Sequence, residues 1–187
     1  PNVTLDNTGT WLDQNAFSTR ISADFGGPGT FANAGSYTKS GAAQTEIAIT
    51  FNNAGSGVVN LDNGSFNLSG GGASTGLFNL AAGTTLGFTA SAYTLDGSVA
   101  AAASSRVLVS GGVVTNTGGL TIGGLLEVSG GTFTANGPTT VASYLQSAGS
   151  LSGTGNLHIT GAATWTGGGM AGSGRTTSSG TLAISGT

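Results

Sequence analysis

A short apolar-x-apolar triplet returns along this chain at a near-constant step, and that repeat restricts the available folds more than any other feature. Val107-Leu108-Val109 precedes Ser110-Gly111-Gly112, and Leu126-Glu127-Val128 precedes Ser129-Gly130-Gly131, a step of 126 − 107 = 19 residues. Carried forward, the slot is filled by Leu145-Gln146-Ser147, by Ala163-Thr164-Trp165 one residue early, and by Leu182-Ala183-Ile184. Carried backward, it is filled by Leu86-Gly87-Phe88 and Phe66-Asn67-Leu68. A second triplet sits about seven residues upstream in each unit, as in Val59-Asn60-Leu61, Phe78-Asn79-Leu80, Leu120-Thr121-Ile122 and Leu157-His158-Ile159. A third slot after the Gly-Gly turn holds a single apolar residue: Val114, Phe133, Leu151 and Met170.

Side chains alternate along a strand, so the outer members of a triplet share one face and the middle member takes the other. Aligning the units gives an inward set that includes Val107, Val109, Leu126, Val128, Phe133, Leu145, Leu151, Trp165 and Ile184, and a mostly polar outward set. Strands this short cannot bury a face alone. Coiling the chain so that each strand pairs with its equivalent in the next coil satisfies the backbone and stacks the apolar columns. The pattern therefore predicts an all-β, right-handed parallel β-helix (β-solenoid) of about nine coils, each of roughly 19–20 residues with three short strands. One domain spans 1–187, with 1–30 the least regular part. Asn33, Asn53, Asn116 and Asn136 recur at comparable corners, where a short amide tolerates tight turns and bonds its neighbours, so a corner Asn ladder is expected.

Composition decides whether such a chain folds. It holds 36 Gly and only 6% charged residues, yet 37% are hydrophobic and the net charge is −3, which separates it from disordered, highly charged sequences. Four scattered cations supply no basic face for phosphate contacts, which argues against nucleic acid. No apolar run approaches the roughly 20 residues of a spanning helix, so no membrane insertion is expected. With no Cys there is no disulfide or thiolate metal site. The Pro at position 1 suggests a processed chain or an excised segment.

The segments FANAGSYTKSGAAQTEIAITFNNAGSGVVNLDNGSFNLSGGG and NLHITGAATWTGGGMAGSGRTTSSGTLAISG resemble repeats of very large secreted bacterial proteins of the filamentous-haemagglutinin and autotransporter-passenger type. The resemblance covers roughly residues 31–187 and concerns architecture. It implies a β-helix at the cell surface or outside the cell, serving as stalk, adhesive shaft or matrix, and it carries over no catalytic residue.

Letter matches to chemical motifs give way to plainer readings. His158, the one histidine, stands mid-triplet beside no acidic partner in sequence and reads as a solvated residue rather than a base or ligand. Gly167-Gly168-Gly169-Met170-Ala171-Gly172 fits a dinucleotide fingerprint by letter, but no helix opens there and no acid follows about twenty residues on. Gly26-Gly27-Pro28-Gly29 lacks the Asp of a calcium repeat. The sequons at Asn2, Asn63 and Asn67 are what so Ser/Thr-rich a chain produces by chance. No cofactor or metal is expected.

Three functions follow, in order of preference. First is a non-catalytic structural or adhesive shaft, stacked end to end or continuing into a longer solenoid, with surface glycans as candidate partners. Residues 1–30 would supply a cap or contact segment through Trp11, Asp13, Arg20 and Asp24. Second is a carbohydrate- or ice-binding module using one flat face. Thr132 and Thr134 flank Phe133, and Thr164 and Thr166 flank Trp165, but Val113/Thr115 and Gly169/Ala171 interrupt the array. Third is a polysaccharide-cleaving enzyme, for which the dispersed acids speak least.

Overall fold

A computed structural model describes residues 3–23 and 27–186 and gives a parallel β-solenoid. Asp24, one of the four candidate contact residues, lies outside the described residues, as do Asn2 and Gly26.

Three faces repeat along the rod. Face one is a nine-stranded stack from Val3–Asn7 through Gly29–Asn33, Thr50–Asn53 and Val113–Asn116 to Gly169–Met170. Face two starts at Thr10–Asp13 and Ser36–Lys39 and runs to Thr176–Ser178. Face three starts at Thr19–Ile21 and runs to Leu182–Ile184. In two rungs the strands of faces two and three merge into one bent strand, Leu120–Val128 and Thr139–Gln146. Every strand pair is parallel, as a coil that always advances the same way requires. At about 4.8 Å per rung the rod is about 40 Å long.

The core is one side chain deep, and aromatic rings fill its amino-terminal half. Phe31 and Phe51 meet edge to face at 5.4 Å, Phe51 meets Phe66 at 5.4 Å, and Tyr37 meets Phe66 at 5.0 Å. Towards the carboxyl end Val, Leu and Ile take over, among them Val107, Val109, Leu126, Val128 and Leu151, all buried. Each such burial contributes roughly 1.5–3 kcal/mol. Phe133 is enclosed in the third slot.

At the corner between faces one and two the core turns polar. Asn7 donates from Nδ2 to Asn33 Oδ1 at 2.7 Å, Asn33 to Asn53 Oδ1 at 2.8 Å, and Asn53 to Ser74 Oγ at 3.2 Å. Each amide also reaches a carbonyl of the following rung, that of Ser36, Val58 or Leu77, so these buried groups are satisfied. Asn116 lies in the same column, two rungs beyond Ser74, where it donates to Gly118 O and accepts from Thr139 Oγ1. Asn136 is a correction. Ala135 pairs with Asn116 and takes the inward place, while Asn136 points to solvent and accepts only from Thr154 N. Asn33→Ala strands a donor on Asn7 and an acceptor on Asn53, so it is expected to lower stability by about 2–3 kcal/mol, against less than about 0.5 for Asn136→Ala. Denaturant titration of the two variants compares them directly.

Leu145 is a second correction. Leu126 pairs with Tyr144 and Val128 with Gln146, which puts Leu145 in the outward column beside Glu127. The register shifts between Ile122 and Leu125, where Gly123-Gly124 on one rung faces Ala142 alone on the next. The short coil thus comes one turn earlier than the triplets suggest. Tyr144 and Gln146 are both buried; the tyrosine hydroxyl donates to Gln146 Oε1 at 2.8 Å, and Gln146 Nε2 donates to Gly169 O at 2.8 Å. Ile184 stands in the inward column above Trp165 and is 64% exposed, with no described rung beyond it. Trp165 is half-buried beneath it and donates from Nε1 to Gly167 O.

One buried hydroxyl, the Tyr93 oxygen in the core, completes no hydrogen bond of good geometry among the described residues, with the Ser74 side chain as its polar neighbour. Burial drives its pKa far above that of an ordinary phenol. Tyr93→Phe removes an unsatisfied donor, so it is expected to leave the melting temperature unchanged or raised. Tyr37→Phe and Tyr144→Phe, whose hydroxyls are bonded, are expected to lower it.

Candidate interaction surfaces

Two of the residues expected to form a contact segment, Trp11 and Asp13, stand in inward columns of the first rung, as register partners of Tyr37 and Lys39. Trp11 stacks on Tyr37 with rings 8° from parallel and meets Phe31 at 5.1 Å, and it keeps one side open, with no described rung before it. Asp13 is only 5% exposed, which corrects its reading as a surface contact. Its Oδ2 accepts from the Tyr37 hydroxyl at 2.7 Å and from Thr45 Oγ1, and its Oδ1 accepts from Asn15 N at 3.4 Å. The ammonium of Lys39, a residue with no exposed surface, stands 3.9 Å from Asp13 Oδ1 and donates to Gly41 O at 2.8 Å. Burial pushes the Lys39 pKa down against the opposing pull of Asp13. Burial and the Asp13 carboxylate together push the Tyr37 hydroxyl far up. A signal for this cluster was present in the sequence: Trp11-x-Asp13 and Tyr37-x-Lys39 fill the same triplet frame with opposite charges.

Arg20 faces outward on face three and pairs with Glu46 one rung on, Nε to Oε2 at 3.5 Å. The same face carries Arg106 and Glu127, 3.0 Å apart. Spacing alone did not reveal these pairs, because rungs join residues more than twenty positions apart.

Face one carries two outward columns, mostly of small residues. Thr4, Thr30, Thr50, Gly71, Ala92, Val113, Thr132 and Ser150 follow one line; Asp6, Ala32, Asn52, Ala73, Thr94, Thr115, Thr134 and Ser152 follow the other. The two Thr-x-Thr pairs noted in the sequence lie on different faces, since Thr164 stacks between Leu145 and Ala183 on face three. Among the described residues no aromatic ring occupies an outward column, so no face offers the stacking platform that sugar rings favour. The two outward glutamates of face three are far apart. Glu46 and Glu127 share an outward column but stand four rungs from each other, with Asn67, Gly87 and Leu108 between. That is about 19 Å at the usual rung spacing, against the roughly 5–9.5 Å between the carboxyl pair of a glycoside hydrolase.

His158 Nδ1 lies 3.0 Å from Thr177 Oγ1 and stacks on Thr140. No group of three or more His, Asp or Glu that could hold a metal occurs among the described residues. No helix there is long and apolar enough to cross a membrane. Asp96 instead serves the fold. Although partial burial works against its charge, hydrogen bonds from Thr117 N, Thr117 Oγ1 and Gly118 N in the next rung hold its pKa below the usual carboxylate range. A depressed carboxyl pKa contributes stability above the unfolded value and loses it as pH falls through the folded value. Stability is therefore expected to drop with acidification below the ordinary carboxylate range, and Asp96→Asn to flatten that limb in melts recorded against pH.

Comparison with protein-family models, with curated proteins and with solved structures yields no match to this chain.

Proposed function

We propose that this chain is a non-catalytic structural or adhesive segment, a stiff solenoid shaft of a secreted bacterial surface or matrix protein of the filamentous-haemagglutinin or autotransporter-passenger type. The observation that carries the reading is the uninterrupted parallel stack, in which each described rung is built on the one before and the core is closed along the middle of the rod. The stacking form of the proposal adds end-to-end self-association by strand pairing between rods. Outward columns with few charges and no rings support a role in which stiffness and repetition matter more than a local site.

Electron microscopy and sedimentation of the purified chain test this reading. End-to-end oligomers or filaments are expected, and Ile184→Lys is expected to disperse them by placing a charge in the contact. A monomer at high concentration, with no filaments, overturns the stacking form. The runner-up is a carbohydrate- or ice-binding module using one face, and the Thr and Ser that recur in the outward columns of face one favour it. Thermal hysteresis or binding on a glycan array would select it over the shaft. Polysaccharide cleavage is third, and the carboxylate separation weighs against it.

A further inference from the structure

A buried ion pair is weak support for stability, since an apolar pair of similar volume does as well or better. The rest of this column illustrates the point. Asp13 and Lys39 are followed in register by Leu61, Leu80 and Ala101. The first two rungs alone carry a carboxylate and an amine, enclosed together, with two hydroxyls aimed at one carboxylate oxygen. Packing does not ask for that arrangement; an amide-forming reaction does.

We propose that Lys39 and Asp13 condense into an intramolecular amide that staples the first rung to the second. The ammonium passes a proton to the carboxylate, giving the neutral pair that a buried site favours. The amine Nζ then attacks Asp13 Cγ, the Nζ–Cγ bond forms and the Cγ–Oδ1 bond breaks. Of the three ammonium protons, one stays on the amide nitrogen and two leave with Oδ1 as water. The charges cancel and no oxidant or activated co-reactant is needed. Oδ1 lies on the side of Lys39, at 3.9 Å from Nζ. Oδ2 bears the negative charge of the tetrahedral intermediate and becomes the amide carbonyl. It already accepts hydrogen bonds from Tyr37 and Thr45, placed as an oxyanion hole. The lowered proton affinity of Lys39 supplies the nucleophile, and confinement on adjacent strands supplies the effective concentration. The link spans the longest step among the described rungs, that from Asn7 to Asn33, 26 residues, where the intervening loop is costliest to close.

Intact-mass spectrometry of the purified full chain tests the proposal. The protein is expected to be lighter than its sequence by one water. Protease digestion is expected to release a branched peptide joining the segments of Asp13 and Lys39, and Lys39→Met to restore the full sequence mass. An unchanged mass after prolonged incubation of the folded protein at neutral pH overturns it. So does a lost water that maps elsewhere, such as a succinimide at Asp96-Gly97.

Discussion

Phe51→Ala is expected to lower stability by about 3–5 kcal/mol, the upper range for deleting a buried aromatic side chain. Phe51 has no exposed surface and wedges between Phe31 and Phe66, with both ring contacts at 5.4 Å. What sets the cost is whether the neighbours can close the hole. On the next rung the register partner of Phe51 is Gly72, which has no side chain to lean in, and the backbone there is fixed by strand pairing on both sides. The cavity therefore persists. Phe17, which is 84% exposed, provides the contrast, since Phe17→Ala should stay within about 0.5 kcal/mol. Denaturant unfolding of both variants measures the difference.

Gly149→Ala is expected to be as damaging, for a reason that lies in the corner. Between faces three and one, Ser91, Gly112, Gly131, Gly149 and Gly168 stack in successive rungs. Gly149 has φ +66°, and a Cβ there would collide with the carbonyl oxygens of Gly130 and Gly131. The left-handed backbone alone costs a side chain about 1–2 kcal/mol, and forcing backbone apart adds about 1–3 kcal/mol. Gly83→Ala isolates the first cost, because φ is +80° there and nothing lies within 4 Å. Ser91 is the natural exception, with φ +59° in the same column. Ser91→Gly is thus expected to raise the melting temperature slightly while Gly149→Ala lowers it by many degrees.

The three-strand coil was legible because its signal is periodic: apolar pairs flank an outward residue, and turns of Gly and Ser separate them. Both the all-β class and the parallel stacking follow from that pattern. What escaped the repeat was local. The lost residue opposite Gly123-Gly124 cannot be placed by hydropathy, because Leu145 outscores Tyr144 and Gln146 although only the latter pair is enclosed. Asn136 looks like a ladder member by its distance from Asn116, but the smaller Ala135 holds the inward position. Asp13 reads as a surface contact because charge normally stays outside; its burial beside Lys39 depends on a coil of unusual length bringing the two side by side. The surfaces were less legible than the fold, since ion pairs and columns join residues eighteen to twenty-six positions apart.

The central claim is that chain distance converts linearly into height along a rod. The sequence has no cysteine, so pairs of introduced cysteines can carry spin labels without a background. Ala32, Thr94, Thr134 and Ser152 share one outward column on face one, with Thr94 three rungs, Thr134 five and Ser152 six from Ala32. Dipolar distance measurements on Ala32 paired with each are expected to give label separations rising by about 4.8 Å per rung, near 14, 24 and 29 Å. Separations that level off or fail to follow the order of the rungs would contradict the solenoid and everything argued from it.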